Sequence, residues 1–123
     1  AGRFSVDVVP GVTSVSASTA RLHHPLTARN EVLVTVPAPL PDCSIRKRIE
    51  CADSVAILKI GPHLGRIRSL LADMGLAQRA MYIERATLAE EVVHPLADAP
   101  DPAPYFSMIL VTKGTDPWLK TPS

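Results

Sequence analysis

The sequence predicts an α/β fold: a single three-layer-like domain with a mixed, roughly five-stranded sheet flanked by helices. Three observations lead there. Strand-like and helix-like runs alternate along most of the chain, and two strands close it. The run Ser54-Val55-Ala56-Ile57-Leu58-Lys59-Ile60 is apolar almost throughout, as befits a central strand covered on both faces. Three β-like runs also end in turns of small or polar residues. Val6-Asp7-Val8-Val9 leads into Pro10-Gly11-Val12-Thr13-Ser14. The Ser54 run leads into Gly61-Pro62-His63, and Met81-Tyr82-Ile83 leads into Glu84-Arg85-Ala86-Thr87. Ligands of open α/β sheets bind just beyond the carboxyl ends of strands.

Residues 4–9 read as a short strand broken by Pro10-Gly11. The spacing of Val12, Val15, Thr19 and Leu22 predicts a helix over 12–22, with Ala17 and Ala20 allowing close packing. His23-His24-Pro25 ends it, because the residue before proline avoids helical geometry. Residues 31–36 are valine-rich and predict a strand. Pro37, Pro39 and Pro41 form a stiff connector. Asp42 is the expected N-cap of a helix reaching about residue 52, with Ile45 and Ile49 as its apolar stripe and Arg46, Lys47 and Arg48 as a solvated face.

After the buried strand over 54–60, the repeat of Leu64, Ile67, Leu71 and Met74 predicts a helix that Gly75 stops. Residues 80–84 predict a strand. Residues 91–96 predict an edge strand, where Pro95 is tolerated. A Pro- and Asp-rich loop over 98–104 precedes a last strand over 106–112. Residues 114–123 read as a loose polar tail with Trp118 its one anchor.

The 123 residues suit one domain with a real core, and a hydrophobic content of 46% argues against disorder. A net charge of +1 gives no field directed at nucleic acid or an anionic membrane. Aromatic content of 4% leaves few platforms for stacking bases. No apolar run reaches the roughly 20 residues needed to span a bilayer. Cys43 and Cys51 on one helix stand about 12 Å apart, beyond disulfide reach. They are therefore read as reduced thiols in a cytoplasmic protein.

No nucleophile elbow, P-loop or zinc-spaced cysteine pair is present, and no catalytic residue stands out. His23-His24 reads as a helix-end pair, and His94 as structural. His63 is the histidine at a candidate ligand edge, although helix entry or simple exposure is the commoner reason for a histidine in such a turn. Lys59 interrupts an apolar strand near its end. It either reaches an acidic ligand or extends its amine over the sheet edge. Glu84-Arg85 either touches a polar substrate or forms ion pairs. Tyr105-Phe106 is read as packing at least one ring in the core. Gly11, Gly61 and Ala86 would let a ligand approach the backbone. Thr13 and Ser14 begin a helix, whose free N–H groups hold polar or anionic groups. Together these turns favour a nucleotide-like or cofactor-like ligand held largely by main chain.

Four blocks resemble the carboxyl-terminal half of the tetrapyrrole (precorrin) methylases. They are Val9-Pro10-Gly11-Val12-Thr13-Ser14, Lys59-Ile60-Gly61, Tyr82-Ile83-Glu84-Arg85-Ala86-Thr87 and Ala103-Pro104-Tyr105-Phe106-Ser107-Met108-Ile109-Leu110-Val111. The Glu-Arg-Ala-Thr and Tyr-Phe-Ser segments are most similar to members that methylate precorrin-2 at C-20 in cobalamin biosynthesis. The resemblance implies that residues 1–113 are the second domain of such an enzyme and 114–123 a tail. The amino-terminal domain, with its Gly-rich loop, is missing from this sequence, so the chain alone is expected to be inactive.

It further implies S-adenosylmethionine as methyl donor, no metal, a tetrapyrrole substrate and a homodimer. Thr13, Ser14, Ile60, Gly61 and Ala86 would contact the donor, with Ile60 standing where the family commonly has methionine. Lys59, His63 and Arg85 are candidates for the substrate's carboxylates. The alternatives are a non-catalytic α/β dimerisation or ligand-binding module, and a related methylase acting at another ring position, on a cobalt-precorrin or on a diphthamide precursor.

Overall fold

The computed structural model describes residues 5–8, 14–22, 27, 30–86, 88–104 and 106–113. Their elements run α1 (Ser14–Leu22), β1 (Leu33–Pro37), α2 (Asp42–Cys51), β2 (Ser54–Leu58), α3 (Leu64–Asp73), β3 (Ala80–Glu84), β4 (Val92–Pro95) and β5 (Ser107–Thr112). Single 3-10 turns occupy Gly61–His63, Ala77–Arg79 and Leu96–Asp98. The expected mixed five-stranded sheet is present, in the order β1-β2-β5-β3-β4. β1 and β2 are parallel, joined through α2, and every other pairing is antiparallel.

Strand alternation sends two sets of side chains to opposite faces. Val55, Ile57, Ile109, Val111, Ala80 and Tyr82 join Ile45 and Ile49 of α2 and Leu64, Ile67, Leu70 and Leu71 of α3 in the larger core cluster. Ala56, Ile83, Met108 and Leu110 form the smaller cluster, against which Val15 and Leu22 of α1 pack. β2 and β5 are thus covered on both faces, which is why their sequences are apolar without alternation.

α3 stops where its sequence predicts. Gly75 takes φ +71°, its N–H donates to Ala72 O at 3.0 Å, and the N–H of Leu76 reaches Leu71 O at 2.9 Å. These two bonds are a Schellman ending, and the left-handed residue it requires is glycine. Cys43 and Cys51 are free and exposed, as expected for one helix.

Several expectations are corrected. Residues 5–8 form no strand. Val6 and Val8 are 82% and 89% exposed, and strand propensity without a partner edge leaves the chain unpaired. α2 is capped at Pro41, so Asp42 is its first helical residue; its carboxylate pairs with Arg66 instead. β2 ends at Leu58, because Lys59 turns the chain with φ +56°. β1 begins at Leu33 and β5 at Ser107. His23, His24, Tyr105, Trp118 and residues 114–123 lie outside the described residues, as do Pro10, Gly11 and Val12.

Candidate functional site

The strand register brings two of the three predicted turns to one end of the sheet. β5 runs antiparallel to β2 and to β3, so its first residue, Ser107, sits beside Glu84, the last residue of β3, while Ile109 pairs with Ile57. The carboxyl ends of β1, β2 and β3 therefore share an edge with the start of β5. The turn at Lys59-Ile60-Gly61 and the turn at Arg85-Ala86 flank β5 there.

The segment 103–107 laces these turns together. Ala103 N–H donates to Gly61 O at 3.0 Å. The N–H of Arg85 donates to Phe106 O at 2.6 Å, and Ser107 Oγ donates to Pro104 O at 2.6 Å. Phe106 is 65% exposed at this edge, and Tyr105, the other ring of the pair, lies outside the described residues.

Both strands break in the same way. Lys59 has φ +56° and Arg85 φ +50°, left-handed values that side chains rarely adopt. Such outliers concentrate at ligand-binding edges. Gly61 has φ +38°, and a Cβ there would meet nothing within 4 Å. The space beside that turn is open.

The candidate residues differ in what they can offer. Ile60 is fully buried in the larger core cluster, so its side chain anchors the turn from within. Ala86 is half-buried and packs on the smaller cluster, together with Leu58 and with Val15 from the first turn of α1. Ser14 opens α1. Thr13 lies outside the described residues, so convergence of the third turn is not part of the observed geometry.

The cations are unequal too. Arg85 turns back on its neighbour, with Nη1 3.1 Å from Glu84 Oε2. Of the two readings of Glu84-Arg85, the ion pair is the one observed. His63 Nδ1 lies 3.2 Å from Nη2 of Arg66. A guanidinium only donates, so this nitrogen accepts. Arg66 also donates to the carbonyls of Ala38 and Leu40 and pairs with Asp42, tying α3 to the connector after β1. Lys59 is exposed and forms no ion pair among the described residues.

The sequence did not single out the buried group behind this edge. Tyr82 is fully buried, stacks on His94 with ring centroids 6.0 Å apart, and donates its hydroxyl to Glu84 Oε1 at 3.3 Å. Burial, reinforced by the Glu84 charge, pushes the phenol's pKa well above its ordinary value. The i, i+2 spacing of Tyr82 and Glu84 on a strand was the available signal. Among the described residues, no group of three or more histidine, cysteine or acidic side chains could hold a metal ion. No helix among them is long and apolar enough to cross a membrane.

The family described as Tetrapyrrole (Corrin/Porphyrin) Methylases matches residues 1–100. The chain belongs to that family. It is 39% identical over 113 residues to the cobalamin biosynthesis protein CobIJ of Mycobacterium tuberculosis, covering 91% of this chain and 22% of that protein. It is 36% identical over 112 residues to a precorrin-2 C(20)-methyltransferase of Sinorhizobium sp, covering 90% of this chain and 46% of the relative. A cobalt-precorrin-2 C(20)-methyltransferase of Salmonella typhimurium is 36% identical over 111 residues, covering 88% of this chain and 47% of the relative. The chain thus spans about half the length of these two methyltransferases.

Solved structures agree on the fold. The methyltransferase CobJ superposes with TM-score 0.64 at 19% identity, over 88% of this chain and 51% of that one. A uroporphyrin-III C-methyl transferase of Thermus thermophilus, complexed with S-adenyl homocysteine, superposes with TM-score 0.57 at 26% identity, over 85% of this chain and 52% of that one.

Proposed function

We propose that this chain is the carboxyl-terminal half of an S-adenosylmethionine-dependent methyltransferase acting on C-20 of precorrin-2 in cobalamin biosynthesis. The observation that carries the reading is the meeting of the Gly61 and Ala86 turns on one sheet edge, laced by residues 103–107. The activities of the relatives support the reaction class, and the Thermus thermophilus enzyme's complex with S-adenyl homocysteine supports the donor. Residues 1–113 form the domain and 114–123 a tail, and an amino-terminal domain completes the cleft.

The donor supplies a methyl group already activated on a sulfonium, so the reading assigns neither a protein nucleophile nor a metal. The chain's task is alignment and exclusion of water. Gly61 and Ala86 give the donor close approach to backbone, and the proposal adds Thr13 and Ser14 as donor contacts on family resemblance. Lys59 is the cation best placed for a substrate carboxylate, being exposed and outside any described ion pair. His63 and Arg85 reach a substrate only by leaving Arg66 and Glu84. Exposed, unpaired Cys43 and Cys51 support a cytoplasmic setting. A homodimer is part of the same proposal, on family resemblance.

Calorimetric titration of S-adenosylhomocysteine tests the reading. This chain is expected to bind weakly or not at all, and a version extended amino-terminally into the missing domain is expected to bind clearly. Absence of binding to both would overturn the assignment and favour a non-catalytic module.

A further inference from the structure

The segment leading from the Leu96–Asp98 turn to β5 does more than connect them. It touches the Gly61–α3 region at three separate places. Nη2 of Arg68 donates to Ala99 O. The Asp101 carboxylate lies against Gly65, so close that a Cβ on Gly65 would stand 2.6 Å from Oδ2. Ala103 N–H donates to Gly61 O at 3.0 Å.

Gly65 is the informative residue. It sits inside α3, where glycine is a poor choice. Its backbone does not demand glycine either, because the left-handed values belong to Gly61 and Gly75. What glycine supplies at this position is room for Asp101. The first turn of α3 carries no acidic residue of its own, and its cap residue, His63, makes no side-chain capping bond. Asp101 brings a negative charge to that turn from a distant part of the chain, where the helix dipole favours it. One helical step further, Arg68 Nε is buried under the same segment with no partner among the described residues. Asp101 and Arg68 thus put opposite charges along one seam.

We propose that residues 99–103 form a strap fixing the Gly61 turn, with Asp101 and Arg68 as positioning residues for the donor site. This rests on the proposed reading of Gly61. The strap's last bond fixes the peptide between Gly61 and Pro62, and the same segment runs on to Phe106, whose carbonyl holds Arg85. The strap therefore sets the spacing between the two turns.

The test uses Gly65→Ala, Asp101→Ala and the double variant in the amino-terminally extended protein. Gly65→Ala favours the helix but displaces Asp101. It should keep or raise the melting temperature while weakening S-adenosylhomocysteine binding about five-fold, the loss expected from one ordinary hydrogen bond's worth of positioning. Asp101→Ala should weaken binding similarly, and the double variant no further. A purely structural glycine would move stability and affinity together.

In this chain, Asp101→Ala should also speed hydrogen exchange at the Ala103 amide while leaving Ile109 and Val111 protected. Parent-like affinity in both single variants, or unchanged exchange at Ala103, would overturn the strap. Failure of the parent itself to bind would overturn the reading of the site, and the strap's role with it.

Discussion

Tyr82 donates its hydroxyl to the carboxylate of Glu84 two residues along β3, and Glu84 holds the Arg85 guanidinium with its other oxygen. A buried ring and a buried acid thereby hold the left-handed turn at Arg85 from behind. Removing the acid leaves a buried hydroxyl without its acceptor and releases the guanidinium. Glu84→Ala should cost about 1–3 kcal/mol of unfolding free energy, measured by urea denaturation. Glu84→Gln should cost less, since its amide oxygen still accepts.

The same pair sets an alkaline limit. Unfolded tyrosine titrates near pH 10, and folded Tyr82 titrates higher because it is buried beside Glu84. Between the two values the unfolded chain has lost a proton that the native chain keeps. The stabilisation is therefore complete below about pH 10 and lost as pH rises above it. Tyr82→Phe should flatten the stability profile above that pH relative to the parent, while costing about 0.5–1.5 kcal/mol near neutrality. Denaturation series from pH 8 to 11 would check both.

Lys59 combines strain with a charge that makes no ion pair among the described residues. Lys59→Gly should raise stability by about 1 kcal/mol by relieving a left-handed residue, yet weaken binding of a polycarboxylate tetrapyrrole. Uroporphyrin binding, followed by its absorption band in the extended protein, gives the second reading. A stabilised variant with undiminished affinity would remove Lys59 from the substrate site.

Arg66 and Asp42 form an ion pair whose partners matter unequally. Asp42 is well exposed, and loss of a surface pair is worth about 0–1 kcal/mol. Arg66 also serves the carbonyls of Ala38 and Leu40. Arg66→Met should therefore destabilise clearly more than Asp42→Ala, as paired thermal melts would show.

At Gly75 the cost should come from backbone alone, because a Cβ there meets nothing within 4 Å. Gly75→Ala should lose about 1–2 kcal/mol. Gly75→Asn should lose less, since asparagine tolerates the left-handed region.

Much of this architecture was legible from local pattern. The Leu64, Ile67, Leu71 repeat and Gly75 gave α3 nearly to the residue, and unbroken apolarity identified β2 and β5 as doubly covered. The candidate edge was legible for Gly61 and Ala86, because small residues after strands leave a signature. Long-range partnership left none. Asp42 looks like a helix cap until Arg66 arrives from 24 residues away. Val6 and Val8 have strand character, but a strand also needs a neighbour. The Tyr82–Glu84 bond needed burial at Glu84, which hydropathy alone argues against.

The sheet's order has a consequence for biosynthesis. Among the described strands β5 leaves the ribosome after the other four, yet it lies in the middle, and β2 and β3 meet through it. Until Ser107–Thr112 emerges, the nascent chain holds two separate ribbons, β1-β2 and β3-β4, each with an unsatisfied inner edge. Those ribbons invite mispairing between neighbouring nascent chains. Slow translation just before this strand would prolong that exposure.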